Sequence, residues 1–240
     1  MKFENTEVFN FEGALRGMRN PLNSWYKSDS HYWLPNEHME EYEKMANEDV
    51  SWTPYFIGAD DMKLARKLIV GGSEHSKFMR QILVSVDITG PLFWWKQMET
   101  YKVGTTANST STMHKLSSTP ITRECFDMSG YDGSLNMIDP CHIDTMVSEL
   151  ISFLEQLRQK YIQTGDKAYW TELVRWLPEG WLQTRTWTAN YAVLKNIYFQ
   201  RKNHRLEQWQ EFCRWIEGLP YGKELITDTE IYIKYLTGEL

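Results

Sequence analysis

The chain has 240 residues, of which 42% are hydrophobic, 24% charged and 14% aromatic, with eleven Trp and a net charge of −6. A chain of this length buries a sizeable core without disulfides or structural zinc, and this composition excludes intrinsically disordered, collagen-like and low-complexity classes. The mild acidity speaks against binding nucleic acid through the overall field and leaves only a local basic patch for that purpose.

The amino terminus, MKFENTEVFNFEGALRG, is acidic and has no basic start followed by an apolar run, so it predicts no secretory signal and a cytoplasmic protein. Residues 1–35, with Asn20-Pro21 and Leu34-Pro35 as turn signals, read as irregular structure draped on a single domain spanning 1–240. The acidic stretch 36–47 predicts a short helix. A second helix is expected where Met62, Ala65, Leu68 and Ile69 recur at helical spacing, capped by Asp60 or Asp61 and ended by Gly71-Gly72.

Residues 81–89 alternate apolar Ile82, Val84, Val86 and Ile88 with mostly polar neighbours, the period of a strand with one buried face. Gly90-Pro91 stops it, and Pro91 is well placed to open a helix over PLFWWKQMETY because its missing donor needs no partner there. Residues 104–118, dominated by Thr and Ser, predict a loop or extended segment. Asp139-Pro140 is expected to start a long helix through about Tyr161, with Val147, Leu150, Ile151, Leu154 and Leu157 as its apolar stripe. Further helices are predicted over 167–177, 186–201, 204–217 and 228–236. On a helix running from 186 to 201, Asn190 and Arg201 fall on nearly the same side and Asn196 on another. No stretch is long and apolar enough to span a bilayer, so no membrane association is expected.

Two segments carry candidate chemistry. The stretch Thr105 to His114 offers hydroxyls and backbone donors suited to a phosphate or a nucleotide edge, or else is a plain polar surface loop. Trp94 and Trp95 before it read either as a wall for a flat heterocycle or as core. The second segment holds Arg185, Asn190, Asn196, Arg201, Lys202, His204 and Arg205, where guanidinium forks suit phosphate or a carbonyl-rich ring, or a basic helix end merely complements the dipole. Cys125, Cys141 and Cys213 are odd in number and widely spaced, as expected of reduced thiols packed as small hydrophobes. Adjacent Cys141-His142 without C-x-x-C or H-E-x-x-H gives no metal site, and no Walker loop or G-x-G-x-x-G occurs. Glu40-Glu41 and Asp60-Asp61 read as exposed face or cap, and Ser111 with His114 lacks a third member for nucleophilic catalysis.

Taken together, these segments resemble the flavin-dependent thymidylate synthase family, whose signature is R-H-R-x-x-S-x-N-E-x-S-x-R after a strand, a Pro and an R-Q pair. Here the strand, Pro91 and Lys96-Gln97 lead to Thr100-Tyr101-Lys102 and then Asn108-Ser109-Thr110-Ser111-Thr112-Met113. Gln97, Asn108 and Ser111 match, Lys102 replaces the second arginine, and Thr100, Tyr101, Ser109 and Met113 stand for Arg, His, Glu and Arg. The family's L-P, W-T-x-N, N, R and Q-W series resembles Leu177-Pro178, Trp187-Thr188-Ala189-Asn190, Asn196, Arg201 and Gln208-Trp209. Arg175 lies one step from the position of the family's nucleotide-phosphate arginine, which Val174 occupies.

The resemblance implies an α+β fold, an antiparallel sheet with surrounding helices, and a homotetramer with FAD between subunits. It further implies transfer of a one-carbon unit from methylenetetrahydrofolate to C5 of a pyrimidine nucleotide such as dUMP, with NADPH as reductant and no enzyme nucleophile. Lys102, Asn108, Asn190 and Asn196 would contact the flavin. Gln97, Ser109, Ser111 and Arg175 would hold the nucleotide, and Arg201 would orient and polarise its pyrimidine. The competing expectation is a non-catalytic nucleotide- or nucleic-acid-binding protein on the same fold, with Lys96, Lys102, His114 and Lys115 facing a polyanion; a third is a structural oligomer with an aromatic contact surface.

Overall fold

The computed structural model describes residues 1–33, 43, 49–131 and 142–228. The expected helix at 36–47 (apart from residue 43), the start of the long helix at 139–141, Glu40-Glu41, Cys141 and the last helix past residue 228 lie outside the described residues.

The chain is mixed α+β. Its main sheet has the strand order β3-β1-β5-β7-β6, built from β1 (Lys2–Phe9), β3 (Val50–Trp52), β5 (Leu83–Pro91), β6 (Thr106–Ser109) and β7 (Leu182–Asn190). A two-stranded antiparallel ribbon pairs β2 (His31–Tyr32) with β4 (Tyr55–Phe56). Thr89 lies beside Thr184 (2.7 Å) and Asp87 beside Thr186 (2.5 Å), so β5 and β7 run antiparallel. β1 pairs with β3 in parallel, with Thr6 opposite Val50. The sheet is therefore antiparallel between β5 and β7, as expected, and parallel where β3 joins β1 at one edge.

Strand β5 follows the predicted alternation, with Ile82, Val84, Val86 and Ile88 all fully buried. Helix α3 (Leu92–Met98) follows Pro91 as expected, and its first N–H groups are satisfied from outside: Leu92 N donates to Trp181 O and Phe93 N to Glu179 O. Helix α2 (Ala59–Val70) ends at Gly71-Gly72, but neither Asp60 nor Asp61 caps it. The cap is Asp29, whose carboxylate accepts from Asp60 N (2.8 Å) and Asp61 N (3.0 Å).

The amino-terminal segment is not irregular. It forms β1 and then α1 (Phe11–Arg19), with 3-10 turns from Asn20. The strand is hidden in the sequence because Asn5 adopts φ 50°, a left-handed conformation that Asn tolerates, so the period is broken between Phe3 and the buried pair Thr6 and Val8. Helix α1 buries Phe11, Ala14, Leu15 and Met18, a helical stripe that the glycines at 13 and 17 obscure.

Two further expectations change. Residues 104–118 contain β6 and then α4 (Thr112–Ser118), and 186–201 is the end of β7 followed by α7 (Tyr191–Arg201). β-branched Thr184, Thr186 and Thr188 suit the strand, and Asn190 ends it by capping the helix. The remaining helices are α5 (Ile143–Thr164), α6 (Lys167–Trp176) and α8 (Glu207–Glu217), the last starting three residues later than expected. Of the α5 stripe, Leu154 is fully buried, whereas Leu150 is exposed.

The chain divides into two compact units made of interleaved segments, residues 1–2, 88–100 and 108–185 in one, and 3–87, 101–107 and 186–240 in the other. The first has a core of Leu116, Ile121, Leu154, Leu173 and Trp181. Trp94 and Trp95 are buried there as well, at 0% and 1% exposure, so they are core and not a free heterocycle wall. The second is built on aromatic contacts: Phe11 meets Trp52, Tyr191 and Tyr221 edge-on, and Phe212 packs with Trp187, Trp209 and Trp215. Each such pair contributes about 0.5–1.5 kcal/mol beyond its burial. Among the described residues no helix is long and apolar enough to cross a membrane.

Candidate functional site

In the second unit, α7 positions three of the sequence-selected side chains. Asn190 is its N-cap, with Oδ1 accepting from Val193 N at 3.1 Å. This occupies the oxygen and leaves Nδ2 as the available donor. Gly104, at φ 77°, comes close to this cap: a Cβ there would lie 3.0 Å from a Val193 methyl and 3.3 Å from Asn190 Nδ2. The turn carrying exposed Lys102 is therefore fitted to the start of α7 by a residue without a side chain.

Arg201 ends α7. Its Nε donates to Tyr101 Oη at 2.8 Å, and its guanidinium lies 4.6 Å from the ring centroid of buried Trp209 and 5.5 Å from that of Tyr101. Tyr101 Oη in turn donates to Gln200 Oε1 at 3.0 Å. Arg201 is half-buried, and its two Nη groups have no hydrogen-bond partner among the described residues. A guanidinium fixed at Nε and stacked on an indole, with its outer fork available, is arranged for a planar carbonyl or an oxyanion. His204 nearby has its pKa held down by desolvation and by the Arg201 charge, and its Nδ1 accepts from Leu206 N.

Asn196 is exposed on another face of α7, with Oδ1 accepting from Gln200 Nε2 at 2.8 Å. It lines a cavity of about 380 Å³ with Lys195 and Phe199 of the same helix, and with Ser73, Ser76 and Arg80 from the stretch after α2. Asn190 stands at the strand–helix junction as the cap of α7 and not within the expected helix, while Tyr101 at Arg201 and Gly104 at Asn190 bring one short segment against both ends of α7.

In the first unit the other selected residues are placed as follows. Asn108 and Ser109 are exposed on β6, where Thr110 N donates to Thr184 O at 2.9 Å. Ser111 caps α4 by accepting from His114 N at 3.3 Å, a structural role and not a nucleophile–base contact. Gln97 is half-buried on α3. Arg175, exposed at the end of α6, is paired with Glu172, and Lys96 with Glu179. Arg185 is committed: its guanidinium lies 4.4 Å from the Trp95 ring centroid, Nε donates to Gln183 Oε1, and Nη1 pairs with Glu99 at 3.0 Å.

Sequence reasoning missed Tyr101, which stands where the family has a histidine, yet holds Arg201, a signal that is spatial only. Among the described residues no cluster of His, Cys, Asp or Glu is arranged to hold a metal ion.

By sequence, no family model and no curated protein matches the chain. By structure, it is similar to the flavin-dependent thymidylate synthase ThyX from Helicobacter pylori complexed with FAD and dUMP. The TM-score is 0.63 at 15% identity, covering 95% of this chain and 99% of that one. A second structure of that enzyme with FAD and dUMP gives a TM-score of 0.62 at 14% identity, with the same coverage. The chain has this fold over nearly its whole length.

Proposed function

We propose that this chain, which has the flavin-dependent thymidylate synthase fold, binds FAD and a pyrimidine deoxynucleotide and transfers a one-carbon unit to C5 of the pyrimidine. The observation that carries this reading is Arg201, held by Tyr101 and Trp209 while its Nη groups have no hydrogen-bond partner among the described residues. When bound, FAD supplies the redox chemistry, with NADPH as reductant and methylenetetrahydrofolate as carbon donor.

The donor set fits such a ligand pair at several points. Arg201 hydrogen-bonds a pyrimidine carbonyl and stabilises the negative charge that grows on it as C5 becomes nucleophilic, a preorganised electrostatic role. Asn190, through Nδ2, and Asn196 bind flavin, as do Lys102 and Asn108. Gln97, Ser109, Ser111 and Arg175 orient the nucleotide. No side-chain nucleophile is required. The working assembly is a cytoplasmic homotetramer.

The test is spectroscopic and catalytic together. Purified protein is expected to carry or take up FAD, to bleach with NADPH, and to release tritium from dUMP labelled at C5. Arg201→Ala is expected to abolish tritium release and retain the flavin spectrum. Protein that neither contains nor takes up FAD refutes the reading. A second reading, a non-catalytic nucleotide- or nucleic-acid-binding protein, is favoured by one observation: Met113, 54% exposed, stands where the family carries an arginine. It predicts ligand binding without tritium release, and for nucleic acid an affinity falling steeply with salt.

A further inference from the structure

Tyr101 heads a short segment whose backbone is anchored. Its carbonyl accepts from Thr105 Oγ1 at 2.6 Å, and Gly104 packs against Val193 and Asn190 at the start of α7. From there the side chain reaches the other end of the same helix. Its ring lies edge-on to buried Trp209, 6.1 Å between centroids, and its Oη accepts from Arg201 Nε at 2.8 Å. A phenol carries one proton, which an oxygen accepting from Nε has to send elsewhere. Here it goes to Gln200 Oε1 at 3.0 Å, and Gln200 is itself oriented, because its Nε2 donates to Asn196 Oδ1 at 2.8 Å. These bonds run in one direction, from Arg201 through Tyr101 and Gln200 to Asn196. The guanidinium also lies 4.6 Å from the Trp209 ring centroid. A cation held over a ring is attracted to its face and keeps freedom to turn about that contact. The bond from Nε to Tyr101 removes this freedom and decides where the Nη groups point.

We infer that Tyr101 is the positioning residue of Arg201, aiming its guanidinium at the ligand, and that Gln200 keeps the Tyr101 hydroxyl turned for that task. The inference rests on the proposed function for the identity of the ligand group, a pyrimidine carbonyl, and adds to it how this chain holds the arginine that meets that group. The tyrosine where the family has a histidine is then a change of task at that position, from a direct ligand contact to support of the arginine. Such support matters most as negative charge grows on the carbonyl, because a guanidinium already aimed needs no reorientation at that moment.

Tyr101→Phe keeps the ring against Trp209 and removes only the hydroxyl, so the melting temperature and FAD affinity are expected to stay at their wild-type values. The Arg201 Nε–H, followed by nitrogen-15 NMR of the full chain labelled at arginine and assigned through Arg201→Lys, is expected to exchange with water about tenfold faster in this variant. Its dUMP affinity by calorimetry is expected to fall about threefold and its kcat for tritium release about tenfold, the loss in kcat being larger because the contact tightens in the transition state. Gln200→Leu should shift all three readouts in the same direction by less. Tyr101→His restores the family's residue with a side chain too short for Arg201 Nε, and is expected to remain as impaired as Tyr101→Phe. Unchanged Nε–H exchange, wild-type dUMP affinity and release in Tyr101→Phe, a fall in FAD affinity alone, or recovery in Tyr101→His overturns the inference and leaves the proposed function standing. A protein that binds dUMP, binds it more weakly as Tyr101→Phe, and neither takes up FAD nor releases tritium keeps the inference and sinks the one-carbon reading. No dUMP binding, with or without FAD, overturns both.

Discussion

Replacing Asp61 by alanine is expected to be among the most damaging single changes in this protein. Asp61 is fully buried, and its carboxylate accepts from Arg19 Nε at 2.5 Å, Ser28 Oγ at 2.6 Å and Ser30 Oγ at 2.5 Å. Arg19 is itself only 6% exposed. Removing the acid strands a buried guanidinium, for which the loss is about 3–5 kcal/mol, much larger than the net worth of the pair. In a chain of this length that corresponds to a fall in melting temperature of about 6–20 °C. The double variant Arg19→Met/Asp61→Leu removes both charges and is expected to recover most of the loss, since apolar replacement of a buried pair is often neutral. Thermal and urea unfolding followed by circular dichroism measure both. A loss below about 1 kcal/mol for Asp61→Ala, or a double variant no better than the single, would falsify the view that an unpaired buried charge dominates.

Asn190 allows its two roles to be separated. Asn190→Asp keeps the oxygen that caps α7 and should unfold like wild type, while Asn190→Ala costs about 1 kcal/mol in urea unfolding; if Nδ2 contacts flavin, both variants lose FAD affinity alike by fluorescence titration. At low pH, Glu155 is the group to follow. Arg158 foremost, with Ile121 N and Gln159, lowers its pKa to about 2. A carboxyl depressed in the folded state stabilises fully above its unfolded value near 4.5, and that contribution is lost as pH falls toward 2. Glu155→Gln should therefore flatten the stability profile between those values, and an unchanged acid limb in the variant would contradict the assignment.

Much of the secondary structure was legible from local pattern. Ile82 to Ile88 wrote their strand plainly because a half-buried strand needs only a period of two, and the helix Lys167–Trp176 was readable from its stop at Pro178. The resemblance carried by Leu177-Pro178 and Trp187-Thr188-Ala189-Asn190 pointed to the fold that the chain has. Local pattern failed where one residue changed the backbone rule: Asn5 at positive φ hid β1, and Asn190, a cap, was absorbed into a helix that begins one residue later.

The eleven tryptophans, conspicuous in the composition, illustrate what the chain's arrangement alone decided. Sequence could not separate Trp94 and Trp95, buried in a core, from Trp176, which is 56% exposed, because all three lie in apolar surroundings along the chain. Nor could it show that Trp209 and Tyr101, over a hundred positions apart, would hold one guanidinium. Periodicity and turn chemistry are properties of neighbours in sequence, so the sequence by itself determined elements such as β5, α2 and α6, and the family resemblance, not periodicity, pointed to the fold. Pairing and desolvation depend on what folding brings alongside. Only the tertiary structure could therefore neutralise Arg185 with Glu99 and leave the Arg201 fork without a hydrogen-bond partner among the described residues.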